Sequence, residues 1–100
     1  MARYSISIVE GAKAEIRRLK ATHRKMVLDA IKHLIDRPGV EEGSKKMLRG
    51  LTPPWPQVTP VWQLTVVPFR VFYDVDEAAM EVIVNAVREK PPGKTTEEIL

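Results

Sequence analysis

The sequence predicts one α+β domain in which a helical hairpin packs on one face of a mostly antiparallel, four-stranded sheet. Three observations predict this class. Residues 3–9 alternate apolar and polar side chains, residues 12–35 carry apolar side chains at helical spacing, and residues 61–87 contain three strand-like runs separated by short turns. The resulting order is β-α-α-β-β-β, and a chain of 100 residues has the length of a single domain, spanning 1–100.

The first strand and the two helices are predicted within residues 3–35. The apolar side chains of the strand share one face. The strand is expected to end at Glu10 and the glycine that follows it. Two amphipathic helices follow, the second capped by Thr22 and ended before Pro38. Because the helices are nearly contiguous in sequence, we expect them to form an antiparallel hairpin.

Residues 39–60 show few regular signals. They include a basic segment at 45–51 and a proline-rich segment at 52–60, which cannot be a central strand. A connection of this length in a small domain is either a functional loop or a covering flap. At the other end of the chain, a tail from about residue 90 is expected to be flexible, with a capping-box pattern at 95–98.

Three strands are predicted at 61–67, 69–75 and 80–87. Because the turns between them are short, consecutive strands should pair as an antiparallel meander. The hairpin covers one face of such a sheet, and the other face is then expected to be open. Functional side chains are expected on that open face.

Composition excludes several classes of chemistry. The chain has no cysteine and only two histidines, which excludes disulfides, thiolate metal sites and a cysteine nucleophile. We therefore expect no structural zinc site. The N-terminal residues lack the pattern of a signal peptide, and no apolar run approaches the roughly 18 residues of a membrane span. A cytoplasmic protein without membrane association is expected.

The charge is distributed unevenly along the chain. Residues 1–50 carry twelve Lys and Arg against six acids, whereas residues 51–100 carry four against seven. The net charge is +3. Such asymmetry predicts a polyanion or an acidic protein as partner. The alternative is that Lys and Arg simply solvate the helix surfaces.

Four segments carry a resemblance to a known family. They are KMLRGL at 46–51, VWQLTV at 61–66, FRVFYDVD at 69–76 and VNAVR at 84–88. Their order and spacing resemble the RelE/ParE superfamily of toxins over roughly residues 4–90. The piece FRVFYDV at 69–75 is the most specific part, and the predicted helical hairpin agrees with the fold that the resemblance implies.

The resemblance implies the toxin component of a type II toxin–antitoxin system. RelE-like members inhibit translation by cleaving mRNA on the ribosome, and ParE-like members poison DNA gyrase. The implied partners are a cognate antitoxin with an acidic segment, together with the ribosome and mRNA or, alternatively, gyrase. The implied cleavage is an endoribonuclease reaction in which the RNA 2′-hydroxyl attacks the adjacent phosphate. It needs neither a metal nor a cofactor.

Two arginines are the catalytic candidates that the resemblance implies. Arg70 matches the family's strand arginine, and Arg88 matches the arginine that ends the last strand, both linked to phosphate. Arginine suits this role because its planar fork grips two phosphate oxygens. Since side chains alternate along a strand, Arg70 should lie on the open face. The alternative for Arg70 is a structural ion pair with Asp74 or Glu81.

Lys45, Lys46, Arg49 and Gln63 are the candidates for binding RNA or an antitoxin. The sequence departs from the RelE enzyme pattern in that Gln63 and Thr65 stand where it has basic residues. The C-terminal tyrosine of that pattern is also missing. These departures keep two alternatives beside mRNA cleavage, which are a ParE-like gyrase poison and a non-catalytic antitoxin-binding module.

Overall fold

The computed structural model describes residues 3–56 and 60–100. Within these residues, the predicted α+β order is confirmed, with one added strand and a short C-terminal helix. The elements are β1 (Ser5–Ile8), α1 (Glu10–Arg17), α2 (Ala21–Lys32), β2 (Lys45–Met47), β3 (Trp62–Val66), β4 (Phe69–Asp76), β5 (Glu81–Glu89) and α3 (Thr96–Ile99). No helix in this part of the chain has the length and apolar composition needed to cross a membrane.

The strands form one mixed sheet in the order β1-β5-β4-β3-β2. β1 runs parallel to β5, and the other neighbours are antiparallel. The prediction of four strands is wrong by one, because β2 lies in the segment predicted only as basic. Its three residues are too few to show an alternating pattern. Long-range bonds define it instead, from Leu48 N–H to the Val61 carbonyl (2.8 Å) and from Thr65 N–H to the Ser44 carbonyl (2.9 Å).

The hairpin of α1 and α2 packs on one face of the sheet, as predicted. Its apolar side chains join those of the central strands in the main core. The buried members are Ala12, Ile16, Val27, Ile31, Leu34, Trp62, Leu64, Phe69, Val71, Tyr73, Val75, Val82, Val84 and Val87. Two predicted boundaries are wrong. Glu10 begins α1, and Thr22 lies inside α2, which follows Lys20 without a side-chain cap.

The sheet face opposite the hairpin, called here the second face, carries a smaller apolar cluster. Phe72 and Ala86 are buried there together with Leu48 and Val61. Four partly buried side chains from the loop and the C-terminal segment cover them: Leu51, Trp55, Ile99 and Leu100. The prediction of an open second face is therefore wrong at its centre. The proline-rich segment covers the sheet through its tryptophan, and its residues 57–59 lie outside the described residues.

The C-terminal segment ends in α3, whose predicted capping box is confirmed. The Thr95 hydroxyl accepts from Glu98 N–H over 3.3 Å, and the Glu98 carboxylate accepts from Thr95 N–H over 2.8 Å. Both orphan donors at the helix start are thereby satisfied. The wider expectation, a single domain over 1–100 with a flexible tail from about residue 90, stays a prediction.

Candidate functional site

Two arginines lie side by side on the second face. Arg70 of β4 and Arg88 of β5 are directly paired in the antiparallel register. Phe69 and Val71 are buried in the main core, so the intervening Arg70 projects from the second face, as its alternation predicts. The Arg70 guanidinium donates to the Phe69 carbonyl over 3.1 Å. Among the described residues it forms no ion pair, so the alternative structural pairing is not seen there.

Arg88 is held by three groups from distant parts of the chain. Its guanidinium forms an ion pair with Glu15 of α1, and its Nε donates to the Ile99 carbonyl over 3.0 Å. The guanidinium carbon lies 5.8 Å from the centroid of the Trp55 ring, within range of a cation–π interaction. Glu15 balances the charge of Arg88. Arg70 is therefore the member of the arginine pair without a balancing carboxylate in the described structure.

Glu15 is a site residue that the sequence reasoning missed. Its carboxylate accepts from the Val87 N–H over 3.0 Å, at a part of β5 that extends past the end of β1. The same carboxylate contacts Arg88. Glu15 thus satisfies a backbone donor on the unpaired edge of β5 and orients a candidate catalytic arginine. The available signal was that Glu15 is the single acid in the basic stretch 12–20.

Gln63 is buried rather than presented to a ligand. Its side chain is covered by α3, since its Oε1 accepts from the Thr96 hydroxyl over 3.2 Å. Lys46 of β2 is the residue paired with Gln63 at the edge of the sheet. Lys46 is exposed and, within the described residues, makes no side-chain hydrogen bond or ion pair. Of these two predicted binding residues, Lys46 is the one accessible to a partner.

The other two predicted cations contact nearby loop residues. Lys45 is 13% exposed, donates to the Arg37 carbonyl over 2.6 Å and pairs with Glu42 at 3.4 Å. Arg49 is exposed and pairs with Glu41 at 3.6 Å. Lys45 therefore anchors the loop before β2, whereas the ion pair of Arg49 lies in solvent, where such pairs are weak.

The histidines make packing and backbone contacts. His23 meets the edge of the Phe69 ring, with 5.0 Å between centroids. His33 contacts the Asp29 carbonyl through Nδ1 at 2.8 Å. In the described ranges, no group of three His, Cys, Asp or Glu residues is arranged to hold a metal ion. The candidate site thus consists of arginines, a lysine and the groups that orient them.

No family model matches the sequence, and no curated protein matches it. The structure is similar to the isolated RelE toxin of E. coli, with a TM-score of 0.71, 22% identity and coverage of 91% of this chain and 88% of that chain. The chain has the RelE fold. Two toxin–antitoxin complexes also match. The RelE–RelB complex from Pyrococcus horikoshii OT3 gives a TM-score of 0.69 at 18% identity, covering 95% of this chain and 100% of that one. The RelBE2 complex from Mycobacterium tuberculosis gives a TM-score of 0.70 at 16% identity, covering 88% of this chain and 99% of that one.

Three of the predicted site cations share the second face of this RelE fold. Arg70 and Arg88 lie next to each other on the two central strands, and Lys46 lies at the sheet edge. Part of the same face is covered by Trp55 and by α3. Any phosphate held by the pair would approach beside this covered region.

Proposed function

We propose that this chain is the toxin of a type II toxin–antitoxin system, and that it inhibits translation by cleaving mRNA on the ribosome. The observation that carries the proposal is the pairing of Arg70 with Arg88 on one face of a RelE fold. Arginines at paired positions of neighbouring strands can together donate to the oxygens of one phosphodiester. The toxin acts in the cytoplasm, where its ribosomal target lies.

The proposed reaction uses few protein groups. The RNA 2′-hydroxyl gives its proton to water as its oxygen attacks the adjacent phosphorus. The bond from phosphorus to the 5′-oxygen breaks, and this leaving oxygen takes up a proton from water. Arg70, which lacks a balancing carboxylate among the described residues, stabilises the negative charge that grows on the phosphate. Arg88 orients the same phosphate, and Lys46 adds positive charge from the sheet edge. The ribosome supplies the alignment of the attacking 2′-oxygen.

The proposed regulatory partner is a cognate antitoxin with an acidic segment. The basic half of the chain supports this, since residues 1–50 carry twelve Lys and Arg against six acids. Six of these cations are exposed in or between α1 and α2: Lys13, Arg17, Arg18, Lys20, Lys25 and Lys32. An acidic segment laid along these helices gains from charge complementarity, and the gain falls as salt concentration rises.

A second candidate function is a non-catalytic module that only binds an antitoxin-like protein. Two observations favour it. Glu15 already balances the charge of Arg88, and Gln63 is buried beneath α3. Neither Gln63 nor Thr65 can act as a general base on the strand that carries them. In this alternative the arginines stabilise the fold and take no part in chemistry.

Expression in a host cell separates these functions. The native chain is expected to arrest growth, and co-expression of the acidic protein encoded beside it should relieve the arrest. Arg70→Ala should abolish the arrest, while Arg17→Ala, which changes an exposed arginine of α1, should leave it intact. Arrest that persists in a folded Arg70→Ala variant would count against the proposed role of Arg70. An absence of any arrest would favour the binding module, and gyrase-linked DNA breaks would favour the ParE-like alternative.

A further inference from the structure

A cleft of about 470 Å³ lies between α1, the proline-rich segment and β5. The face of α1 that lines it carries Gly11 and Ala14, and Arg18 follows at helical spacing as the C-cap of α1. The small residues leave the space open, since a Cβ placed on Gly11 meets nothing within 4 Å. Arg18 is exposed, and its side chain has no hydrogen bond or ion pair within residues 3–56 and 60–100. One wall of the cleft is therefore open and carries an unpaired cation.

Flat groups lie on the other side of the cleft. The Trp55 ring packs against Phe72 with 5.8 Å between centroids, which fixes its position. The Arg88 guanidinium lies 5.8 Å from the Trp55 centroid and is itself fixed by Glu15. Unstacked nucleic-acid bases stack on aromatic rings and on guanidinium planes. This wall therefore has the chemistry that binds a base, in a volume within the about 300–1,000 Å³ of small-ligand sites.

Asn85 lines the cleft next to a β-bulge. The register between β4 and β5 shifts between Phe72 and Tyr73, so that Asn85 is left without a partner in the pairing. Bulges of this kind redirect side chains and are common beside functional sites. The Asn85 amide donates to Asp74 over 3.0 Å, which fixes its orientation. Its Oδ1 forms no hydrogen bond to the part of the chain that the structure describes, so this acceptor is available to the edge of a base.

We propose that this cleft binds one nucleotide of single-stranded RNA. The base lies against Trp55 and Arg88 with its edge at Asn85, and the phosphate lies at Arg18. Two arginines and Glu15 leave one positive charge in the cleft, which matches one phosphodiester. That the cleft binds a nucleotide is inferred from the residues that line it. That the nucleotide belongs to RNA rests on the proposed function. The site lies beside the Arg70–Arg88 pair and would hold a nucleotide next to the phosphate that is cut.

The test is a titration of the full chain, labelled with nitrogen-15, with 5′-AMP, a short single-stranded RNA and inorganic phosphate in separate arms. We expect 5′-AMP and the RNA to shift the Trp55 indole and Asn85 amide signals, and the RNA to bind more tightly. Phosphate alone should leave the Asn85 signals in place. Identical shifts with phosphate would overturn the base site, and binding of 5′-AMP without binding of RNA would overturn the assignment to RNA.

Two pairs of variants separate the cleft from the rest of the surface. Ala14→Leu fills the cleft without changing charge, and Ala21→Leu adds the same group at an exposed position of α2. Arg18→Gln removes the cleft cation, and Arg17→Gln removes its exposed neighbour. The cleft variants should weaken RNA binding about tenfold, the worth of one charge-assisted hydrogen bond, and the control variants should not. Equal effects within each pair would contradict the proposal.

Failure of the cleft and failure of the proposed function give different results. If the native chain does not cut mRNA but the cleft variants lose RNA binding, the nucleotide site is supported and the proposed cleavage is wrong. If mRNA is cut with the same efficiency and at the same codons by Ala14→Leu and by the native chain, the toxin activity stands and the nucleotide cleft is wrong. Thermal denaturation of each variant confirms that it is folded before binding is compared.

Discussion

Glu15 is the residue on which the position of Arg88 depends most directly. Its carboxylate joins the Arg88 guanidinium and the Val87 N–H, although 72 residues separate Glu15 from Val87 along the chain. Both side chains of the ion pair are mostly buried, at 30% and 22% exposure. At such sites an ion pair loses less to solvent screening than it does on the surface. The arrangement couples α1 to the candidate catalytic strand.

Substitution of Glu15 should separate its two roles. Glu15→Gln keeps an oxygen for the Val87 N–H but loses the charge that pairs with Arg88, and should lower the free energy of unfolding by about 1–2 kcal/mol. Glu15→Ala should cost about 1 kcal/mol more, since it also leaves the Val87 N–H without its partner. Urea denaturation measures both. Equal stability of the two variants would show that the Val87 hydrogen bond contributes nothing.

Tyr73 is a buried tyrosine whose phenol makes the stability of the fold depend on pH. Its hydroxyl donates to the Pro38 carbonyl over 2.9 Å, and burial raises the pKa of its phenol from 10.0. The unfolded chain therefore releases this proton first as pH rises. The stability that the raised pKa contributes is complete below about pH 10 and is lost as the pH climbs above that value.

Tyr73→Phe should remove both effects. At pH 7 the variant should lose about 1–2 kcal/mol of unfolding free energy, because the Pro38 carbonyl has no donor. Above about pH 10 the unfolding free energy of the variant should fall less steeply with pH than that of the native chain. The two slopes should differ by up to about 1.4 kcal/mol for each pH unit. Denaturant titrations at a series of alkaline pH values measure the slopes. Parallel slopes would contradict the buried, protonated phenol.

At the scale of the element, α3 is the short helix that determines how much of the second face is covered. Its capping box fixes the first turn, the Thr96 hydroxyl reaches Gln63, and the Ile99 carbonyl accepts from Arg88. Four residues form a helix too short to be stable alone. The cap and these contacts must therefore hold it together.

Loss of the cap should release α3 from the sheet. Thr95→Ala removes the hydroxyl that accepts from the Glu98 N–H, at a cost of about 1 kcal/mol. Amide exchange at 96–99 should quicken, while exchange in β4 should stay slow. The matched control is Thr22→Ala, since Thr22 is exposed within α2 and caps no helix. Unchanged exchange at 96–99 in Thr95→Ala would show that α3 docks without its cap.

The elements that the sequence predicts well are those whose pattern is local. Alternation predicts β3 and β4 and places Arg70 on the second face, and helical spacing predicts α1 and α2. β2 was missed because three residues carry no periodicity and its pairing is with distant residues. The pairing of Arg88 with Glu15 was missed for the same reason. The capping box of α3 was visible in the sequence, but its docking on Gln63 was not, because docking depends on tertiary contacts.

At the scale of the whole molecule, charge and chemistry lie in different halves of the chain. The basic half, residues 1–50, supplies the hairpin and β2, whereas both candidate catalytic arginines lie in the half with four bases and seven acids. We therefore propose that the positive charge of residues 1–50 serves docking to a polyanion or an acidic partner more than it serves phosphate chemistry.

The activity that we propose for this chain is ribosome-dependent cleavage of mRNA by a site that contains Arg70. The most direct measurement is mapping of mRNA 5′ ends in a purified translation system, with and without ribosomes, for the native chain and for Arg70→Ala. We expect cuts within the reading frame when ribosomes are present and none without them. Arg70→Ala should cut at least a hundredfold more slowly, which corresponds to about 2.7 kcal/mol of lost transition-state stabilisation. Intact mRNA on translating ribosomes, from native chain that is shown to be folded, would contradict it.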